Sequence, residues 1–113
     1  MAKRRCFSID VIESIPFRKL SNEAKTLYFG LIAHSDDEGV VINPSIPMCL
    51  FKTDESTITE LIENGFLLKL KDLLIIKHWY IHNKIYGVKK TQSAYSEELS
   101  CLYINNRYEY ELL

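Results

Sequence analysis

This 113-residue sequence is most informative at first in what it lacks. It has only four glycines and three prolines. There is no G-x-x-x-x-G-K-[ST], no G-x-G-x-x-G and no G-x-S-x-G string, so a loop that cradles phosphate through backbone N–H groups is hard to build. No run of 18 apolar residues occurs, which excludes a conventional membrane-spanning helix. The basic N-terminus is not followed by an apolar signal core, because Asp10, Glu13 and Arg18 interrupt that stretch. The three cysteines, Cys6, Cys49 and Cys101, are odd in number and widely spaced. That is a poor disulfide framework, and it fits reduced, buried or half-buried thiols in a cytoplasm. No CxxC pair is present, and only Arg5 places a cation beside a cysteine.

What is present is a globular composition. The chain is 47% hydrophobic and 12% aromatic, enough for one core without staples. Net charge is −1, yet the charges are segregated. Residues 1–25 and 66–92 are net basic; residues 36–65 and 93–113 are net acidic. Separate lobes let a nearly neutral chain present a basic face to phosphates.

Periodicity gives an order of elements. Ser21 is placed to cap a helix whose buried stripe is Ala24, Leu27, Tyr28, Leu31 and Ile32. Asp36-Asp37-Glu38-Gly39 reads as a turn and Val40-Val41-Ile42 as a short strand. A helix opening at Asn43-Pro44-Ser45 should be short or distorted, because Pro47 lies within it. Thr53 or Asp54 caps a further helix with core positions Ile58, Leu61 and Ile62, and Gly65 closes it. Residues 66–70 and 73–79 are two apolar β-type runs separated by Lys71-Asp72, the pattern of a hairpin. Polar, basic residues follow, then a final helix is expected from the spacing of Tyr95, Leu99, Leu102 and Tyr103. Helix-turn-helix followed by a hairpin is the winged-helix order. We therefore expect an α+β, mainly α chain, with a winged helix-turn-helix domain over 1–83. Residues 84–113 are expected as a basic loop and a C-terminal helix packed on that domain or on a partner.

Specific strings resemble a known family. Lys3-Arg4-Arg5-Cys6-Phe7-Ser8 is similar to the opening of the phage replisome organiser N-terminal family, relatives of the DnaD-like primosomal proteins of Gram-positive bacteria and their phages. Leu20-Ser21 with Ala24, Leu27-Tyr28-Phe29 and Leu31 also matches, as does His34 to Pro44 with Asp37, Gly39, Val41 and Asn43-Pro44. The most specific stretch is Ile76-Lys77-His78-Trp79, then Ile81-His82-Asn83 and Ile85. Tyr95, Glu97-Glu98, Leu99, Asn106 and Tyr108 complete a resemblance over nearly the whole chain. It implies a winged helix that binds duplex origin DNA and helps recruit the helicase machinery, sometimes through self-association. Two departures stand out. The stretch after Asn83 carries fewer charges than in similar proteins. Many of those continue into a linker and second domain, so this is either a piece of a longer chain or a module without the recruiting half.

The residues themselves point to a particular DNA mode. In a helix-turn-helix the second helix enters the major groove. Here that helix offers Ser56, Thr57 and Asn64 to bases, but also Glu55, Glu60 and Glu63, with no Lys or Arg. Carboxylates near phosphates are unfavourable. The cations sit instead on the wing (Lys69, Lys71, Lys77), in the stretch after it (Lys84, Lys89, Lys90) and in an N-terminal arm (Lys3, Arg4, Arg5). These positions predict binding through backbone phosphates, sensitive to salt and modest in sequence specificity; ordinary solvated lysines are the plain alternative. Tyr103, Tyr108 and Tyr110 are candidate anchors for a partner, a second copy or a replication or host protein, and equally candidates for packing. His78 and His82 are four apart, but residue 79 is Trp where a zincin has Glu and no third ligand is evident, so packing roles are favoured over metal. No cofactor and no catalytic residue is expected, and a protein-interaction module without strong DNA affinity is the competing function.

Overall fold

The structure, a computed structural model, describes residues 4–83 and 92–113. Two short helices open it, α1 (Ile9–Ile12) and α2 (Ile15–Arg18). Ser14 caps α2 by accepting from Phe17 N–H, with Pro16 in the first turn, where a missing N–H costs nothing.

Helix α3 (Asn22–Ala33) is the centre of the fold. Ser21 caps it as expected, its Oγ accepting from Ala24 N–H at 3.1 Å. Ala24, Leu27, Tyr28, Leu31 and Ile32 are fully buried. On α4 (Ser45–Leu50), Pro47 occupies the first turn, so the helix is short without losing an internal hydrogen bond. Gly30 lets α4 approach α3: a Cβ there would stand 2.6 Å from the Phe51 ring and 2.9 Å from Pro47.

Helix α5 (Glu55–Glu63) packs on α3 through Ile58 and Leu61. Strands β1 (Leu67–Leu70) and β2 (Leu73–Ile76) then pair antiparallel, Leu67 opposite Ile76 and Leu70 opposite Leu73. The two-residue turn closes without glycine because Lys71 itself takes a left-handed φ of 54°. Residues 39–41 lie along β2: Val41 N–H donates to Leu74 O and Ile76 N–H to Gly39 O, both at 2.9 Å.

After β2 the chain does not continue as strand to Trp79. It turns into α6 (Trp79–His82). Trp79 is fully buried against Gly39, where a Cβ would lie 2.7 Å from the indole, and its Nε1–H donates to Asp37 O at 3.1 Å. The expected final helix is reduced to one turn, α7 (Ser96–Leu99), followed by a second hairpin, β3 (Leu102–Ile104) with β4 (Tyr110–Leu112). The reason is local. Asn105 Oδ1 accepts from the N–H groups of Arg107 and Glu109, building a turn that competes with helix.

The architecture among the described residues is therefore α+β, with seven helices and two small antiparallel hairpins. No helix among them is long and apolar enough to cross a membrane. The three thiols are exposed rather than buried: Cys6 precedes α1, Cys49 is on the outer side of α4 and Cys101 follows α7.

Candidate nucleic-acid interface

The β1–β2 hairpin holds the clearest free cations. Its base is fixed by Leu67, Ile75 and Ile76, all buried at 1% or less. Towards the tip, Lys69 (opposite Leu74) and Lys71 are exposed. The root is thus apolar and buried, while Lys69 and Lys71 stand exposed towards the tip beside half-buried Leu70 and Leu73.

Lys77 is placed differently. It is half-buried just beyond β2, its backbone O accepting from Tyr110 N–H at 2.9 Å. Its side chain lines an open cleft of about 700 Å³ together with Asp10, Asn64, Phe66, His78 and Arg107. Asn64 and Lys77 are thus brought together, with Arg107 as a basic neighbour that the sequence reading passed over because it stands in an acidic segment.

Helix α5 presents Glu55, Ser56, Thr59, Glu63 and Asn64 to solvent. Thr57, expected to face outward, is buried. Glu60, also expected outward, turns back to α3: its two oxygens accept from Ser21 N–H and Ser21 Oγ, both at 2.7 Å. A carboxylate at the positive end of α3 is electrostatically favoured, so Glu60 serves the packing of α5 on α3 rather than the outer face of α5. Asp54 caps α5, and hydrogen bonds from the Ser56 hydroxyl and N–H hold its carboxyl below the usual range. The Ser56 hydroxyl is therefore already engaged with Asp54. Asn64 Nδ2 donates to Glu60 O at 2.8 Å.

The N-terminal arm divides. Arg4 is exposed, but Arg5 is not a free cation. Its side chain is 5% exposed, donates to Asp37 Oδ1 and Ser35 O at 2.9 Å, and stacks 5.0 Å from the centre of the Trp79 ring. A buried guanidinium needs these partners, so Arg5 is a structural bolt rather than a phosphate contact. Neighbouring bonds continue the seam: Cys6 N–H donates to Asn83 Oδ1 and Ser8 N–H to His82 Nδ1, each at 2.8 Å. That leaves the His82 proton on Nε2, which donates to Tyr28 Oη at 2.6 Å. Burial pushes His82 down to about 4. Burial also lowers His78, against the raising effect of Glu109, whose Oε2 lies 3.2 Å from its Nε2. Among the described residues, no group of three or more His, Cys, Asp or Glu is arranged to hold a metal ion.

Of the tyrosines, Tyr103 and Tyr108 are exposed. Tyr110 is buried, its Oη donating to Glu38 O at 2.7 Å, and burial raises its pKa. It anchors the hairpin to the body and offers nothing to a partner. Lys3, Lys84, Lys89 and Lys90 lie outside the described residues. One further cation was missed: Lys52, exposed with a φ of 54° in the turn between α4 and α5, beside Asp54 and Ser56. It is the single base in the acidic stretch 36–65, and its position at a helix boundary was the available signal.

Comparison with protein-family models, curated proteins and solved structures returns no match to this chain.

Proposed function

We propose that this chain is a winged helix-turn-helix module that holds duplex DNA mainly through backbone phosphates, in a cytoplasmic, phage-type replication-initiation role. The chemistry is binding rather than catalysis. The observation that carries the reading is the β1–β2 hairpin, which follows α5 directly, is rooted in the core and exposes Lys69 and Lys71 near its tip. The supporting order is α3, α4, α5, β1 and β2; the strand expected at Val40–Ile42 is reduced to isolated bridges beside β2, an order that is compatible with a winged helix. Lys52 adds a cation beside the start of α5. The outward carboxylates Glu55 and Glu63 argue for a shallow approach of α5, so affinity should come from ammonium–phosphate contacts and vary little with sequence.

The test is fluorescence anisotropy of a labelled random-sequence duplex at several salt concentrations, with wild type beside a Lys69→Glu/Lys71→Glu variant. Both changes are at exposed positions, so the melting temperature should barely move. The expected result is binding that weakens with salt. The variant should bind far more weakly, with a slope of log K against log salt shallower by roughly 2. Equal binding by both proteins, or none at low salt, contradicts the proposal. The second outcome would favour a protein-interaction module, the reading to which the acidic outer face of α5 lends support.

A further inference from the structure

Among the described residues, the second hairpin has an open edge. In β3–β4, Leu113 N–H donates to Cys101 O and Asn105 N–H to Glu109 O, so Cys101, Tyr103 and Asn105 direct their backbone groups towards β4. By the alternation of an antiparallel ladder, Leu102 and Ile104 direct theirs to the other side. Among the described residues neither makes a backbone hydrogen bond on that side. Exposed strand edges are ordinarily blunted by charge, proline or a covering element. Residues 101–106 contain no charged residue and no proline. Tyr103 is 43% and Ile104 46% exposed.

We infer that β3 pairs with β3 of a second copy of this chain, antiparallel about a two-fold axis at Tyr103. The edge is self-complementary. Two outward residues two apart pair as Leu102 with Ile104 of the partner subunit and the reverse, each pair exchanging two N–H···O bonds. Tyr103 then faces its own counterpart across a non-hydrogen-bonded position, where Cα atoms approach to about 4.5 Å and aromatic pairs are favourable. Charge fits the same register. Antiparallel pairing sets the hairpin tip of one copy beside α7 of the other. The tip carries Arg107, 3.5 Å from Glu109 yet with its side chain 75% exposed and so open to a second carboxylate, and α7 carries Glu97 and Glu98. A two-fold interface makes each such contact twice. This inference does not depend on the DNA reading.

The experiment is sedimentation velocity over a range of concentrations on the full chain, wild type beside Ile104→Pro. Proline at 104 removes an outward N–H and leaves the bonds between β3 and β4 intact, so the hairpin should survive. Wild type should shift towards dimer mass with concentration. Ile104→Pro should need roughly tenfold more protein or greater to do so. A register check follows in a background with Cys6, Cys49 and Cys101 changed to Ser. Under mild oxidation Tyr103→Cys should give a disulfide-linked dimer, because the Cα separation suits one, while Leu113→Cys, at an 82% exposed position, should not. A wild type that stays monomeric, equal association by Ile104→Pro, or equal crosslinking of the two cysteine variants would overturn the inference.

Discussion

The two hairpins among the described residues are of the same type, and they are held in opposite ways. β1–β2 is rooted in the core by Leu67, Ile75 and Ile76 and flanked by residues 39–41. β3–β4 lies on the outside. It is fastened by the buried side chains of Leu102 and Tyr110, by Tyr110 N–H to Lys77 O, and by the His78–Glu109 contact, while Ile104, Leu112 and Leu113 remain exposed. Hairpin formation alone therefore says little about role. The rooted hairpin can carry charge at its tip because its stability is supplied elsewhere. The external one keeps an apolar edge and depends on a few polar fasteners.

One substitution in each hairpin, at opposite depths, should probe this contrast most sharply. Ile75→Ala should cost about 2–5 kcal/mol in denaturant unfolding, because it opens a cavity in a fully buried site. Leu112→Ala, at a 56% exposed position, should cost less than about 1 kcal/mol. Equal losses would mean that both hairpins share one depth of packing.

Acid should act on the body next. His82 has an ordinary value of 6.5 and is held down to about 4 in the fold. The unfolded chain therefore takes up a proton first. Stability is full above 6.5, falls as pH drops towards 4 and levels off below that, a loss of roughly 3 kcal/mol. His78, also lowered, acts with the same sign. Urea titrations across this window should show the fall, and His82→Gln should flatten the slope by about one proton.

The smallest effect is expected at a fastener. Tyr110→Phe removes the hydrogen bond to Glu38 O, for a loss of about 1 kcal/mol. Amide exchange should rise in β3 and β4 and stay unchanged in β1 and β2. A rise spread evenly over both hairpins would contradict their separate anchoring.

These depths also explain what could be read from the sequence. α3 and α5 were legible because each combines a cap with a stripe at helical spacing. The first hairpin was legible because two short apolar runs flank a two-residue gap. The second was not: Tyr95, Leu99, Leu102 and Tyr103 fit a helical period, and only the Asn105 side chain, bonding to its own turn, decides against it. Arg5 reads as part of a solvated basic arm because its partner Asp37 lies 32 residues away. Glu60 reads as an outward carboxylate for the same reason, its partner Ser21 being 39 residues distant. Long-range polar pairs leave no local pattern, and they are what separates Lys69 and Lys71, exposed near the tip of the first hairpin, from the bolted Arg5.

The DNA interface proposed on the first hairpin is tested most directly by an amide chemical-shift titration of the labelled chain with a short duplex. Shifts should concentrate at Lys69 to Leu73 and at Lys52, with Leu102 to Leu112 unmoved. Shifts confined to β3 and β4, or none at low salt, would contradict a wing-led DNA interface.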